Sequence, residues 1–322
     1  MKKGFKLFNY DKPGKGVKKE ATDYSLVGFF KLLKRKFFDL SKVNFLWVLM
    51  NFPLFFGLVG LSGNFSVPFS TPADPLYPII SGVSKISQSP SVSALWGVLG
   101  KNTVAEYYGD TARVLFYLTA LVILTFGLAN TGMAYVLRNH AREEYVDMPA
   151  DFFRAIKNNF WQGLLLGIVD IALSAMMIFD LVFFAVNSSI SFMFSMMFFF
   201  CIFLALVWVI MRFYMYQILV TFELSIFKVL KNSFIFALVG LKRNILAVIG
   251  VALTVALNIV IYIYFLPLGG LLPFFITVAL TTFMGTFAAY PNIKKIMIDP
   301  YYKSTDHVDD TPDEPSLFRD RG

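Results

Sequence analysis

Apolar runs longer than about 18 residues, the length at which a helix crosses a bilayer, recur near residues 44–62, 114–137, 161–184, 190–211, 244–266 and 270–290. Polar and charged residues gather in the segments between them. The pattern predicts an all-α polytopic membrane protein with six transmembrane helices, and an even number of crossings puts both ends of the chain on one side. Composition points the same way: 57 % of the residues are hydrophobic and 16 % charged, whereas a soluble domain is about half apolar and a quarter charged.

The distribution of basic residues orients the six helices, because Lys and Arg near the ends of spans are retained in the cytoplasm. Twelve precede the first run, four lie between the second and third, five between the fourth and fifth, and five follow the sixth. The opposite side has Lys85, Lys101 and Arg113, all in the first loop. Both termini are therefore expected in the cytoplasm. Residues 1–19 are basic, but no apolar stretch follows before Leu26, so a cleaved secretory signal is not expected. The net charge of +8 lies beside the spans, where anionic lipid headgroups attract it. Membrane lipid, and not nucleic acid, is its expected partner.

One short pattern occurs three times. Phe30-Lys31-Leu32-Leu33-Lys34-Arg35-Lys36-Phe37, Phe153-Arg154-Ala155-Ile156-Lys157-Asn158-Asn159-Phe160 and Phe227-Lys228-Val229-Leu230-Lys231-Asn232-Ser233-Phe234 share Phe, basic, any, aliphatic, basic, any, any, Phe. Each copy precedes an odd-numbered span, which suggests a repeat. On a helix the two Phe positions and the aliphatic one fall in a stripe of about 60°, with the basic residues beside it. That is the design of a helix lying at the membrane surface, its stripe at the acyl boundary and its Lys or Arg stems reaching for headgroups. The expected unit is such an elbow helix followed by a helical hairpin, three times over. Phe30, Lys34, Phe37, Phe153, Arg154, Lys157, Asn158, Phe160, Phe227, Lys228, Lys231 and Phe234 are its candidate membrane or partner contacts. A plainer account, that juxtamembrane stretches of any Phe-rich chain look like this, stays open.

These readings divide the chain into a basic cytosolic segment at 1–28, a membrane domain at 29–292 and an acidic, mostly disordered cytosolic tail at 293–322. The outer loop at 63–112 holds five prolines, Tyr77, Trp96, Tyr107 and Tyr108, and its length suits an ordered cap or docking surface.

Candidate chemistry is sparse. Ionisable residues within a membrane are costly and mark sites, pathways or internal pairs. Asp170 is expected deep in the third span, Asp180 near its outer end, and Arg212 at the cytosolic end of the fourth. Asp170, with the amides Asn130 and Asn258, forms the possible intramembrane polar site; either a helix-to-helix bond or a transport role suits the carboxylate. The two histidines, His140 and His307, and the single Cys201 form no metal-ligand spacing, and no Gly-rich phosphate loop occurs. No cofactor and no enzymatic activity are expected. The small residues from Gly127 to Gly132 suit close helix packing.

Asn44-Phe45-Leu46-Trp47, Asn51-Phe52-Pro53, Gly132-Met133-Ala134-Tyr135-Val136-Leu137-Arg138 and the stretch from Asp151 to Phe160 resemble the YesL-like family of bacterial integral membrane proteins. The resemblance covers residues 37–174; the long first loop and basic N-terminus depart from the family's pattern. It implies a non-catalytic accessory subunit of an ATP-binding-cassette carbohydrate importer, which would bind the permease subunits and, through loop 63–112, a substrate-binding protein. The alternative is a stand-alone small transporter or channel with a pathway near Asp170.

Overall fold

The computed structural model describes residues 23–72, 89–91, 94 and 102–300. The first 22 residues, most of the loop between 73 and 101 with Tyr77 and Trp96, and the tail beyond 300 lie outside the described residues. Helix α1 (Leu26–Met50) starts at Ser25, whose hydroxyl accepts the Gly28 N–H at 3.1 Å, satisfying one of the donors a helix start leaves free. It runs unbroken through the first Phe-basic motif and into the first apolar run. Pro53 then removes a donor and crowds the preceding turn, and α2 (Pro53–Leu61) leaves at 71°.

This corrects two expectations. The first elbow is not a separate helix, because residues 38–43 contain neither Gly nor Pro to end it. The first span is not a straight helix over 44–62 but is broken at Asn51 and Phe52. A strand pair follows, β1 (Ser66–Pro72) antiparallel to β2 (Asn102–Tyr108), with Ser66 opposite Tyr108 and Pro72 opposite Asn102. The outer loop thus adds a two-stranded sheet to a fold expected to be all-α. Prolines are tolerated there because both strands are edges.

The α-helices after β2 among the described residues are α3 (Asp110–Thr119), α4 (Val122–Ala141), α5 (Met148–Asn158), α6 (Phe160–Asn187), α7 (Phe192–Leu219), α8 (Ile226–Val239), α9 (Leu241–Tyr264), α10 (Leu266–Leu272) and α11 (Val278–Ile293). α3 and α4 together form one apolar passage, Asp110–Ala141. The second and third motifs do lie on separate short helices, α5 and α8, ending at Asn159 and Gly240. Their bends fall at different motif positions: Phe160 already begins α6, whereas Phe234 is still inside α8. Among the described residues five helices are long and apolar enough to cross a membrane, and the bent pair α1 and α2 makes a sixth if counted as one span.

Three long helices, α4, α7 and α11, touch one another at the centre. Around them α1 packs against α4 and α11, α6 against α4 and α7, and α9 against α11 and α7. The short helices lie on the inner ones: α5 on α4 and α8 on α7, with Tyr214 and Phe236 stacked at 5.3 Å. The first turns of α1 lie likewise on α11, where Phe29 meets Phe283 at 5.8 Å and Phe287 at 5.4 Å.

Small residues set the closest approach. A Cβ on Gly127 would overlap the Gly163 carbonyl oxygen and lie 2.6 Å from Gly167 Cα, so α4 and α6 meet backbone to backbone. A Cβ on Gly132 would come within 3.0 Å of the Phe152 ring, which seats α5.

Asn44 ties α1 to the last passage. One π-helical turn, Pro273–Thr277, joins α10 to α11, and Pro273 disturbs the regular ladder there. The fully buried Asn44 amide donates to the Pro273 and Phe274 carbonyls at 2.9 and 2.8 Å and accepts the Ala279 N–H at 2.9 Å. Asn44→Leu strands these backbone groups in an apolar interior. At about 1 kcal/mol for each lost bond, a loss of about 3 kcal/mol is expected, measured as a lower unfolding midpoint of the purified protein.

Candidate functional site

Among the described residues Asp170 is the most buried charged side chain, with no exposed surface. Ten residues into α6, it lies about 15 Å from that helix's start by helical rise. Its carboxylate meets Arg212 Nε at 3.0 Å, and accepts the Tyr216 hydroxyl at 3.0 Å and the Ser174 hydroxyl at 3.3 Å. Trp208 Nε1 donates in turn to Ser174 Oγ at 3.0 Å. A charge in an apolar medium is tolerable when an opposite charge and hydrogen bonds surround it. Asp170 has both.

Arg212 is not at the end of its helix, as the hydropathy pattern suggested; α7 continues to Leu219. A charged residue lowers a hydropathy window even when its charge is neutralised inside the bundle. The continuation brings Tyr216 one turn further along the same face and adds Gln217 beside it.

A cavity of about 200 Å³ opens next to this pair, at the meeting of α1, α4, α7, α9 and α11. Trp47, Asn130, Arg212, Gln217 and Tyr216 contribute to its wall, and α11 adds Thr281, Thr282 and Thr286. Trp47 Nε1 donates to Asn130 Oδ1 at 2.9 Å. Asn130 lies beside Tyr216, yet its Nδ2 has no partner in hydrogen-bonding geometry. Gln217 Nε2 donates to Thr286 Oγ1 at 2.9 Å and more weakly to the Ala134 carbonyl at 3.3 Å, while its Oε1 is unpartnered. Both residues are more than nine-tenths buried.

Of the three residues expected to form an intramembrane polar site, the structure brings together Asp170 and Asn130, through Tyr216. Asn258 is elsewhere: its amide donates to the Thr254 carbonyl at 2.8 Å and accepts the Thr277 hydroxyl at 2.9 Å, joining α9 to the π-helical turn. Sequence reading missed Trp47, Gln217, Tyr216 and the threonines as cavity residues. The available signal was Thr277, Thr281, Thr282 and Thr286 at helical spacing in an apolar run.

The motif residues occupy the outer surface. Phe30, Phe153 and Phe227 are 63, 50 and 76 % exposed, and Phe37, Phe160 and Phe234 are 38, 41 and 47 % exposed. Lys34, Arg154, Lys157, Lys228 and Lys231 are exposed and Asn158 is half-buried. Core contacts come instead from the residues just before each motif Phe and two after it: Phe29 and Leu32, Phe152 and Ala155, Val229 in the third copy.

Long apolar helices around a buried, internally neutralised polar centre define an α-helical membrane protein. A family model described as "Protein of unknown function, DUF624", a bacterial membrane family, matches residues 40–181. That range runs from the middle of α1 past Asp170 and includes Asn44, Gly127, Asn130 and Gly167. Neither the curated proteins nor the solved structures yield a match to the chain.

Proposed function

We propose that this protein is a non-catalytic accessory membrane subunit, built of three units of one outer and one inner helix, that associates with the permease subunits of an ATP-binding-cassette carbohydrate importer. The observation that carries the reading is the state of Asp170. The carboxylate is consumed by Arg212, Tyr216 and Ser174, so it serves packing and is not free to carry a proton or a cation through the bundle. A second observation supports a partner within the membrane: only 6 % of the apolar stretches of α6 and α9 is buried, leaving two wide faces for lipid or another protein.

Cyclic packing supports the three-unit reading. Each outer helix, α1, α6 or α9, lies between the inner helix of its own unit and that of the preceding one, taken round the circle. The basic residues support both termini in the cytoplasm, and several of them gather at one end of the bundle, where Arg35 pairs with Glu143 and Arg243 donates to the Tyr24 carbonyl at 3.3 Å. The importer as partner rests on the family resemblance alone. The strand pair then gives the opposite face a surface for a substrate-binding protein.

The cavity favours a second reading, a stand-alone small transporter, because a route could pass beside Arg212. Purification of the tagged protein from its own membrane in mild detergent, with mass spectrometry of what stays bound, separates the two. Permease or ATPase subunits in constant ratio are expected; a homogeneous assembly of this chain alone would sink the accessory reading.

A further inference from the structure

We infer that the cavity between α1, α4, α7, α9 and α11 is a binding site for a small uncharged polyol. Two nine-tenths-buried amides stand in the wall of this space of about 200 Å³ and are incompletely satisfied: Gln217 Oε1 has no partner, and Asn130 Nδ2 has only the Tyr216 hydroxyl beside it. Buried polar atoms without partners are uncommon and call for an explanation. The volume corresponds to about seven water molecules at liquid density, below the usual range for larger ligands, and so sets the size of the solute.

The lining sets its chemistry. Both Arg212 contacts to Asp170 run through Nε, which leaves its Nη groups as donors in the wall. Thr281 and Thr282 spend their hydroxyl protons on the carbonyls of Thr277 and Val278, so they and Gln217 offer acceptors. A hydroxyl group donates and accepts at one atom and suits such a mixed wall. Charge is excluded from both directions. Asp170 neutralises Arg212, removing the attraction for an anion, and has no exposed surface with which to meet a cation. The indole of Trp47 and the ring of Phe213 cover the C–H faces of a polyol.

This inference stands apart from the importer reading, since purification without importer subunits leaves it untouched and a failure to bind leaves that reading untouched. The test is equilibrium dialysis of the full chain in lipid nanodiscs against radiolabelled myo-inositol. Saturable binding near one per chain is expected, displaced by unlabelled ribitol and not by gluconate. Gln217→Leu should weaken it about tenfold and Thr282→Val about threefold, whereas Asn258→Leu, outside the cavity, should leave it unchanged. If Gln217→Leu does not fold, the volume-conserving Thr282→Val decides. No saturable uptake of myo-inositol would mean a cavity holding only water and overturn the proposal. Displacement by gluconate as strong as by ribitol, or an equal loss in Asn258→Leu, would overturn it too.

Discussion

Asp170→Asn is expected to lower the stability of the purified protein by about 3 kcal/mol, the scale set by breaking one side of a buried ion pair. Two effects add. The Arg212 guanidinium loses its counter-charge, and Tyr216 and Ser174 face an amide that accepts at one atom only. Arg212 is 37 % exposed, so part of its charge regains solvation, which keeps the loss from being larger. Arg212→Met should cost at least as much, because it leaves a carboxylate with no exposed surface unpaired.

The double variant Asp170→Leu with Arg212→Met removes both charges and should lose about 2 kcal/mol less than the two corresponding single variants summed. Reversible unfolding in mixed micelles measures all of them. Additive losses would show that the two charges do not act as a pair. Unchanged stability in Asp170→Asn, accompanied by lost solute uptake, would transfer the carboxylate from packing to transport.

Gly127→Val is expected to prevent normal assembly. Its Cβ would clash with backbone atoms of Gly163 and Gly167, and backbone cannot move aside as a flexible side chain can. α4 and α6 would have to separate along a contact that also positions Asn130 and Asp170. Overpacking commonly costs about 1–3 kcal/mol, and a backbone clash on both sides puts Gly127→Val at the top of that range or beyond. Gly127→Ala should be tolerated only in part, with a loss of about 2 kcal/mol. Gly270→Ala is the comparison, since nothing lies within 4 Å of a Cβ there, and it should stay within about 0.5 kcal/mol of the parent. Elution from a sizing column and melting temperature report both effects.

Much of the fold is legible in the chain because a bilayer imposes a one-dimensional rule. Every backbone group in hydrocarbon must be bonded within its own helix, so an apolar run such as 161–184 has to become a helix whatever surrounds it, and α6 does. Asp170 could be singled out for the same reason, since a carboxylate among apolar residues needs an explanation from its sequence position alone. The small residues around Gly127 were legible as a packing face, as Gly163 and Gly167 opposite them demonstrate.

What required tertiary structure is each case in which a residue's meaning depends on a distant partner. Arg212 reads as the end of a span until Asp170, 42 positions earlier, neutralises it and lets the helix continue. Asn44 reads as an ordinary polar residue until it meets the π-helical turn 229 positions away. The three Phe-basic motifs look alike, yet Asn159 and Gly240 end short helices where α1 runs on to Asn51. Local pattern determines which segments are helical, because helix bonds span four residues. Where those helices bend, which polar groups find partners and which stay open to a cavity depend on contacts between segments far apart in the chain, and only the packed bundle decides them.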